Sequence, residues 1–166
     1  MIQDNIKNKK VLTVYFSRTG EQYSVGNIQE GNTAIIAKMI AQKTGGDLFE
    51  IKPLNDNYPD RYTPLTEYAK KEKQANARPE IIGKVENFND YDVVFVGYPN
   101  WWGSMPMPVY TFLESYNFEN KKVYHFCTHE GSGGVESGFA IYGHIAQNNR
   151  MEADKKVSDW LKKLAF

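Results

Sequence analysis

Ser17 and Thr19 place two hydroxyls beside Gly20, directly after the apolar run VLTVYF. Eleven residues beyond that glycine, Gly31-Asn32-Thr33 opens a stretch with helical periodicity. A phosphate needs several donors converging on one point, and a helix start supplies free N–H groups and a positive dipole end. Hydroxyls of Ser17, Thr19 and Thr33, with backbone amides around Gly31–Thr33, complete such a set without a lysine. No GK[ST] follows, so this is not the phosphate loop of a nucleoside triphosphatase. The same residues also suit a plain helix cap at Asn32 and a turn at Ser17, and this loop alone leaves the choice open.

Two more stretches carry chemistry. GYPNWWGSMPMP sets Trp101 and Trp102 side by side among Gly97, Pro99 and Gly103. An indole lying flat on an aromatic ligand, with backbone groups of Asn100–Gly103 bonding the ligand's edge, would use that arrangement. The plainer alternative packs one tryptophan under the loop and leaves the other exposed by chance, and the two combine as one structural and one stacking ring. The third stretch is THEGSGG, Thr128–Gly134, whose three glycines let backbone approach a ligand closely. His129 and Glu130 would bond or cover that ligand, or act as an acid–base pair; a flexible solvated turn is the alternative.

The elements that must position these loops are legible. VLTVYF (11–16), DVVFVGYP (92–99) and KVYHFCT (122–128) are apolar enough for strands buried on both faces, whereas DLFEIKP (47–53) alternates like an edge strand. SGFAIYG (137–143) is a fifth strand. Helical patterns run from Asn32 to a stop at Gly45-Gly46, over 63–77 with Pro64 in the first turn, over 106–116, and through the tail from Met151 to Leu164. Strands alternating with helices predict an α/β fold with a mostly parallel sheet, and such sheets bind ligands beyond the carboxyl ends of their strands. All three loops lie at such ends.

The 166 residues suit one domain, able to bury about 70% of its unfolded surface. Twenty basic residues balance twenty acidic ones, which gives no footprint for nucleic acid or a membrane surface. The single cysteine, Cys127, excludes an intramolecular disulfide and a cysteine-based metal site, and its apolar setting predicts a buried structural thiol. The first nine residues form a polar extension with no hydrophobic signal core, and no run approaches a membrane span, so a cytoplasmic protein is expected.

The chain resembles the flavodoxin-like FMN proteins, and more closely the bacterial flavodoxin-type domains with GYPxWWG and THxGSG loops. The residues that carry this are SRTG (17–20), GNT (31–33), GYPNWWG (97–103) and THEGSG (128–133), within a similarity from Lys10 to Leu164. The resemblance implies a doubly wound parallel sheet of order 2-1-3-4-5, FMN as cofactor, and a role in electron transfer. It implies a compact phosphate loop of the form [ST]xTGNT, split here by the insert EQYSVGNIQE. Ser17, Thr19, Asn32 and Thr33 then form the phosphate site, with Arg18, Gly20 and Ala34 beside them among the cofactor-binding residues and the insert as a flap whose Tyr23 reaches toward the ligand. Pro99, Asn100, Trp101, Trp102 and Gly103 would wall the isoalloxazine, and Thr128, His129, Glu130, Gly131 and Ser132 would close its pyrimidine side.

Two departures bear on function. Flavodoxin carriers are usually strongly acidic; this neutral chain is not steered to basic partners, which raises a small FMN oxidoreductase acting on a quinone or related acceptor beside the protein-partnered carrier. A family helix between the fourth and fifth strands also has no room, since eight residues, THEGSGGV, stretch about 26 Å and cross the sheet only bare. The expectations are an uncovered crossover, an antiparallel fifth strand, or a swap into a homodimer. Outside flavin chemistry, a non-catalytic binding module on the same scaffold remains. A phosphate-receiver domain would need acids where Phe16-Ser17-Arg18 stands, and no GxSxG elbow supports a serine hydrolase using Ser17 or Ser132 with His129.

Overall fold

The computed structural model describes residues 8–135 and 138–166. In chain order the elements are β1 (Val11–Tyr15), β2 (Gly20–Gln22), β3 (Gly26–Ile28), α1 (Asn32–Thr44), β4 (Asp47–Glu50), α2 (Tyr62–Gln74), β5 (Val93–Pro99), α3 (Met107–Ser115), β6 (Lys122–His129), β7 (Phe139–Tyr142), α4 (Gly143–Asn148) and α5 (Arg150–Lys163). Five strands form one sheet in the order β4-β1-β5-β6-β7, every neighbouring pair parallel. Counted by sheet strands alone this is the expected 2-1-3-4-5. The β2–β3 hairpin is antiparallel and stands apart.

The apolar runs form strands because both of their faces find cover. In β1, Val11 and Tyr15 enter one core while Leu12 and Val14 enter the other; in β5, Val93 and Phe95 oppose Val94, Val96 and Tyr98. On the first face, Ile36 and Ile40 of α1 meet Val157, Trp160 and Leu161 of α5 over Phe95 and Phe126. On the second face, Val109 and Phe112 of α3 cover Val94 and Val96. Burying each such large side chain contributes about 1.5–3 kcal/mol. Gly97 is required at the centre of β5, since a Cβ there would sit 2.0 Å from the Phe126 ring.

The short connection resolves into the bare crossover. β7 runs parallel to β6 and starts opposite Phe126, so the chain needs to return only partway down the sheet. Val135 packs on the second face, where the Tyr98 hydroxyl donates to its carbonyl at 3.4 Å, and Gly138 N donates to His125 O at 3.1 Å. No helix lies between β6 and β7 among the described residues. The fifth strand is therefore not antiparallel, and within this single chain it pairs with its own β6. The expected strand start at Ser137 and the first seven residues of the polar extension lie outside the described residues.

Most element ends shift from expectation by one to three residues, and the helices at the site show it best. The N-cap of α1 is Gly31 rather than Asn32, and the helix ends as expected at left-handed Gly45. The helix expected over 63–77 spans Tyr62–Gln74 and buries only Leu65 and Ala69. The hairpin and α4 were not anticipated, both being too short for a hydrophobic period to emerge. No described helix is long and apolar enough to cross a membrane.

Candidate functional site

At the end of β1 the split loop closes on itself. Ser17 Oγ accepts from Ala34 N at 3.1 Å, so the hydroxyl caps α1 from a distant position in the chain. Gly31 is fixed by this contact, since a Cβ there would fall 1.9 Å from Ser17 Oγ and 2.8 Å from Arg18 O. The first-turn amides of Asn32 and Thr33 have no acceptor among the described residues. Thr33 Oγ1 is bonded to Thr128 Oγ1 at 2.8 Å, which ties the first loop to the third.

Arg18 does not project as a free cation. Its guanidinium makes two bonds to Asp56, at 2.8 and 2.9 Å, and one to Tyr58 O at 3.1 Å, and lies over the Tyr58 ring. It anchors the 56–60 segment. Thr19 is exposed and does not line the cleft, and Gly20 serves the hairpin: its φ is +89°, and a Cβ would meet Asp60 O at 2.8 Å. The hairpin is held there by Glu21 N donating to Asp60 O and Tyr62 N donating to Glu21 Oε1. Tyr23 and Tyr62 then face each other across 5.6 Å.

In the second loop the two tryptophans divide their tasks. Trp101 packs edge-on against Phe16 at 5.2 Å and against Tyr58 at 5.6 Å. Trp102 has a φ of +58° and is 48% exposed. Its Nε1 donates to Thr66 O at 2.7 Å, Lys70 sits over its ring, and Lys73 bonds its carbonyl. Asn100 is the staple between loops: its Oδ1 accepts from Gly103 N at 2.9 Å and its Nδ2 donates to Gly133 O at 2.8 Å.

In the third loop His129 Nδ1 accepts from Gly131 N at 3.0 Å and from Gly133 N at 3.4 Å. Burial holds the His129 imidazole below its ordinary value, against the opposing pull of Glu130. Glu130 turns outward to α4, accepting from His144 N at 2.5 Å and pairing with His144 Nδ1 at 2.7 Å. An acid–base pair of His129 with Glu130 is therefore not assembled. Gly143 permits this junction, for a Cβ there would strike Asn32 Nδ2 at 2.3 Å.

These loops enclose one cleft of about 420 Å³. Ser17, Arg18, Asn32, Thr33, Pro99, Asn100, Trp101, Trp102, Gly103, Thr128, His129, Glu130 and Ser132 line it; Thr19, Gly20, Ala34 and Gly131 do not. A further wall, unanticipated from sequence apart from Tyr23, comes from Gln22 and Tyr23 of the hairpin with Tyr62, Leu65, Thr66 and Ala69 of α2. The i, i+3, i+4, i+7 spacing of Tyr62, Leu65, Thr66 and Ala69 was the available signal, but it reads as an ordinary packing stripe.

Comparison with known proteins fits this geometry. A family model described as Flavodoxin matches residues 10–152. The chain belongs to the flavodoxin family. Among solved structures, a candidate flavoprotein from Bacteroides eggerthii DSM 20697 shares 28% identity over 96% of this chain and 99% of that one, with a TM-score of 0.71. A second, from Bacteroides uniformis ATCC 8492, shares 24% over 93% and 98%, with a TM-score of 0.65. A flavoprotein from Lactobacillus acidophilus NCFM in complex with FMN shares 24% over 92% and 98%, with a TM-score of 0.61. A comparison with curated proteins finds no match.

The residues present in this flavodoxin fit FMN. One end of the cleft offers hydroxyls and unpaired helix amides, a neutral donor set that suits a phosphate ester. The other is walled by aromatic rings, and its volume lies within the usual range of about 300–1,000 Å³ for small-molecule sites. Asn32 lines the cleft, and its Oδ1 is buried with no hydrogen-bond partner among the described residues.

Proposed function

We propose that this flavodoxin binds FMN in the cleft and works in electron transfer. The observation that carries the reading is the convergence of three strand-end loops on one cleft with a phosphate-type end and an aromatic end. When bound, FMN supplies the redox chemistry, accepting and returning electrons on its ring system. The chain's own residues bind and orient. Ser17, Thr33 and the start of α1 would take the phosphate, Trp102 and the Tyr23–Tyr62 pair would border the flat ring, and the Asn100 staple would hold the second and third loops at its edge. Trp101 sets the floor under these groups without needing to touch the ligand.

The partner is either a redox protein or a small acceptor. The equal count of basic and acidic residues favours the second, a small oxidoreductase whose acceptor is uncharged and flat, such as a quinone, because no net charge steers a protein partner. The test is titration of the flavin-stripped protein with FMN and with riboflavin. Submicromolar FMN binding with a marked loss for riboflavin is the expected result. Equal weak binding of both would remove the phosphate end from the reading, and no binding of either would leave a flavodoxin fold with another role.

A further inference from the structure

His129 ends β6 and lines the cleft, yet its δ nitrogen points into the protein's own backbone. Two amides, Gly131 N and Gly133 N, donate to that one atom. An imidazole nitrogen that accepts a hydrogen bond carries a lone pair and no proton, so the ring is neutral and its proton sits on Nε2. The loop so gathered does not end there. Gly133 O takes the Asn100 amide, and Asn100 Oδ1 takes Gly103 N, so the fold of the third loop is passed to the loop that bears Trp102.

We propose that His129 is the positioning residue of the third loop, a proton-sensitive latch whose neutral ring keeps residues 131–133 folded at the cleft mouth and whose protonation at Nδ1 releases them and the ligand. The proposal rests on the FMN reading above. Adding a proton at Nδ1 turns an acceptor into a donor facing two N–H groups, and both bonds are lost together. Binding then takes the form of one proton competing with one ligand.

The groups around His129 leave this ring as the sensitive one. From β7, the Tyr142 ring stands 4.8 Å away. From the loop itself comes Glu130, whose carboxylate is engaged by His144 of α4. His144 lies beyond Tyr142, 5.2 Å from that ring, with its side chain 49% exposed. The second loop and α1 present only uncharged groups to the cleft, residues 99–103 with Asn32 and Thr33, and the Arg18 guanidinium of the first loop is paired with Asp56. Burial lowers the His129 titration, against the opposing pull of Glu130, which moves the release to the acid side of the ordinary imidazole value.

The test joins two measurements. Nitrogen-15 NMR of the flavin-free protein, with the His129 resonances assigned by their loss in His129→Asn, reads the protonation of each ring nitrogen. FMN dissociation constants are then taken between about pH 5 and pH 8, the range in which imidazole titrates. We expect an unprotonated Nδ1 at neutral pH and amide shifts of Gly131 and Gly133 that titrate with the ring. We expect FMN binding to weaken about tenfold per pH unit below that titration point, as one linked proton requires. His129→Asn, which keeps an acceptor near the Nδ1 position, should lose this one-proton share of the slope and keep only the share set by the ligand phosphate, whose second proton titrates at about pH 6, and His144→Gln should keep both. A protonated Nδ1 at neutral pH, an unchanged slope in His129→Asn, or a lost slope in His144→Gln overturns the latch. Absence of FMN binding at every pH defeats the FMN reading instead, while the coupled titration of the ring and the two glycine amides still decides whether the loop is latched.

Discussion

Thr33 Oγ1 and Thr128 Oγ1 lie 2.8 Å apart, joining residues 95 positions distant in the chain. Both residues are buried, at 1% and 3% exposure, so neither hydroxyl has ready access to water as a substitute partner. The bond fixes the first turn of α1 against the end of β6. Thr33→Val or Thr128→Val alone should cost about 1–3 kcal/mol in chemical denaturation, because each strands the other hydroxyl. The double variant should cost clearly less than the sum, and strict additivity would mean that the bond contributes nothing.

Ser17→Ala removes the acceptor for Ala34 N and should destabilise by about 0.5–2 kcal/mol, like the loss of an N-cap. Gly31→Ala cannot be accommodated, since its Cβ would overlap Ser17 Oγ. If it folds, it should bind FMN far more weakly than wild type while losing little affinity for riboflavin. Comparable losses for both ligands would place the phosphate elsewhere.

The tryptophans should separate stability from binding. Trp101→Ala deletes the ring packed on Phe16 and Tyr58 and should cost about 2–4 kcal/mol of folding stability. Trp102→Ala removes a half-exposed ring and should change stability by less than about 1 kcal/mol. It should weaken FMN by about 1–3 kcal/mol and relieve flavin fluorescence quenching. The reverse pattern would exchange their roles.

Burial lowers both His125 and His129 from the ordinary value of 6.5. In acid the unfolded chain therefore binds more protons than the folded one. Stability from these two groups is complete above about pH 6.5 and declines as pH falls through their folded values. Thermal melts across that interval should show the decline, and it should shrink in His125→Gln. A melting temperature flat from neutral pH into mild acid would contradict it.

Cys127 is fully buried, and burial pushes its thiol up to about 12. The folded protein should resist alkylation at neutral pH, with labelling appearing only as denaturant opens the core. Fast labelling under native conditions would show that the β6 core opens locally.

What the sequence made legible follows from what each residue type can do alone. The strands of the sheet centre were readable because the run of Val, Phe and Tyr in β5, broken only by Gly97 before Pro99 ends it, fits only an element covered on both sides. The three loops were readable because glycine, hydroxyl and indole clusters at strand ends have few structural uses. The partition between Trp101 and Trp102 was not, since it depends on Phe16 and Tyr58 reaching the loop from distant positions. The pairing of Arg18 was hidden for the same reason: it lines the cleft as expected, but Asp56, its partner, lies in a stretch that shows no pattern of its own. The α2 wall stayed hidden because TPLTEYAKKEK is, by composition, an ordinary solvated helix.

The hairpin leaves the sheet beside Ser17 and comes back to Gly31 within touching distance of that serine. Its ends thus meet at one point, and its body leans on the segment around Asp60 and Tyr62, with Ile28 its buried apolar anchor. An element joined in this way is a cassette. It can be shortened, lengthened or exchanged while Ser17 and the first turn of α1 keep their places. Grip on the phosphate and access to the ring can then be re-engineered separately, by editing residues 21–30 without rewriting the sheet that carries them.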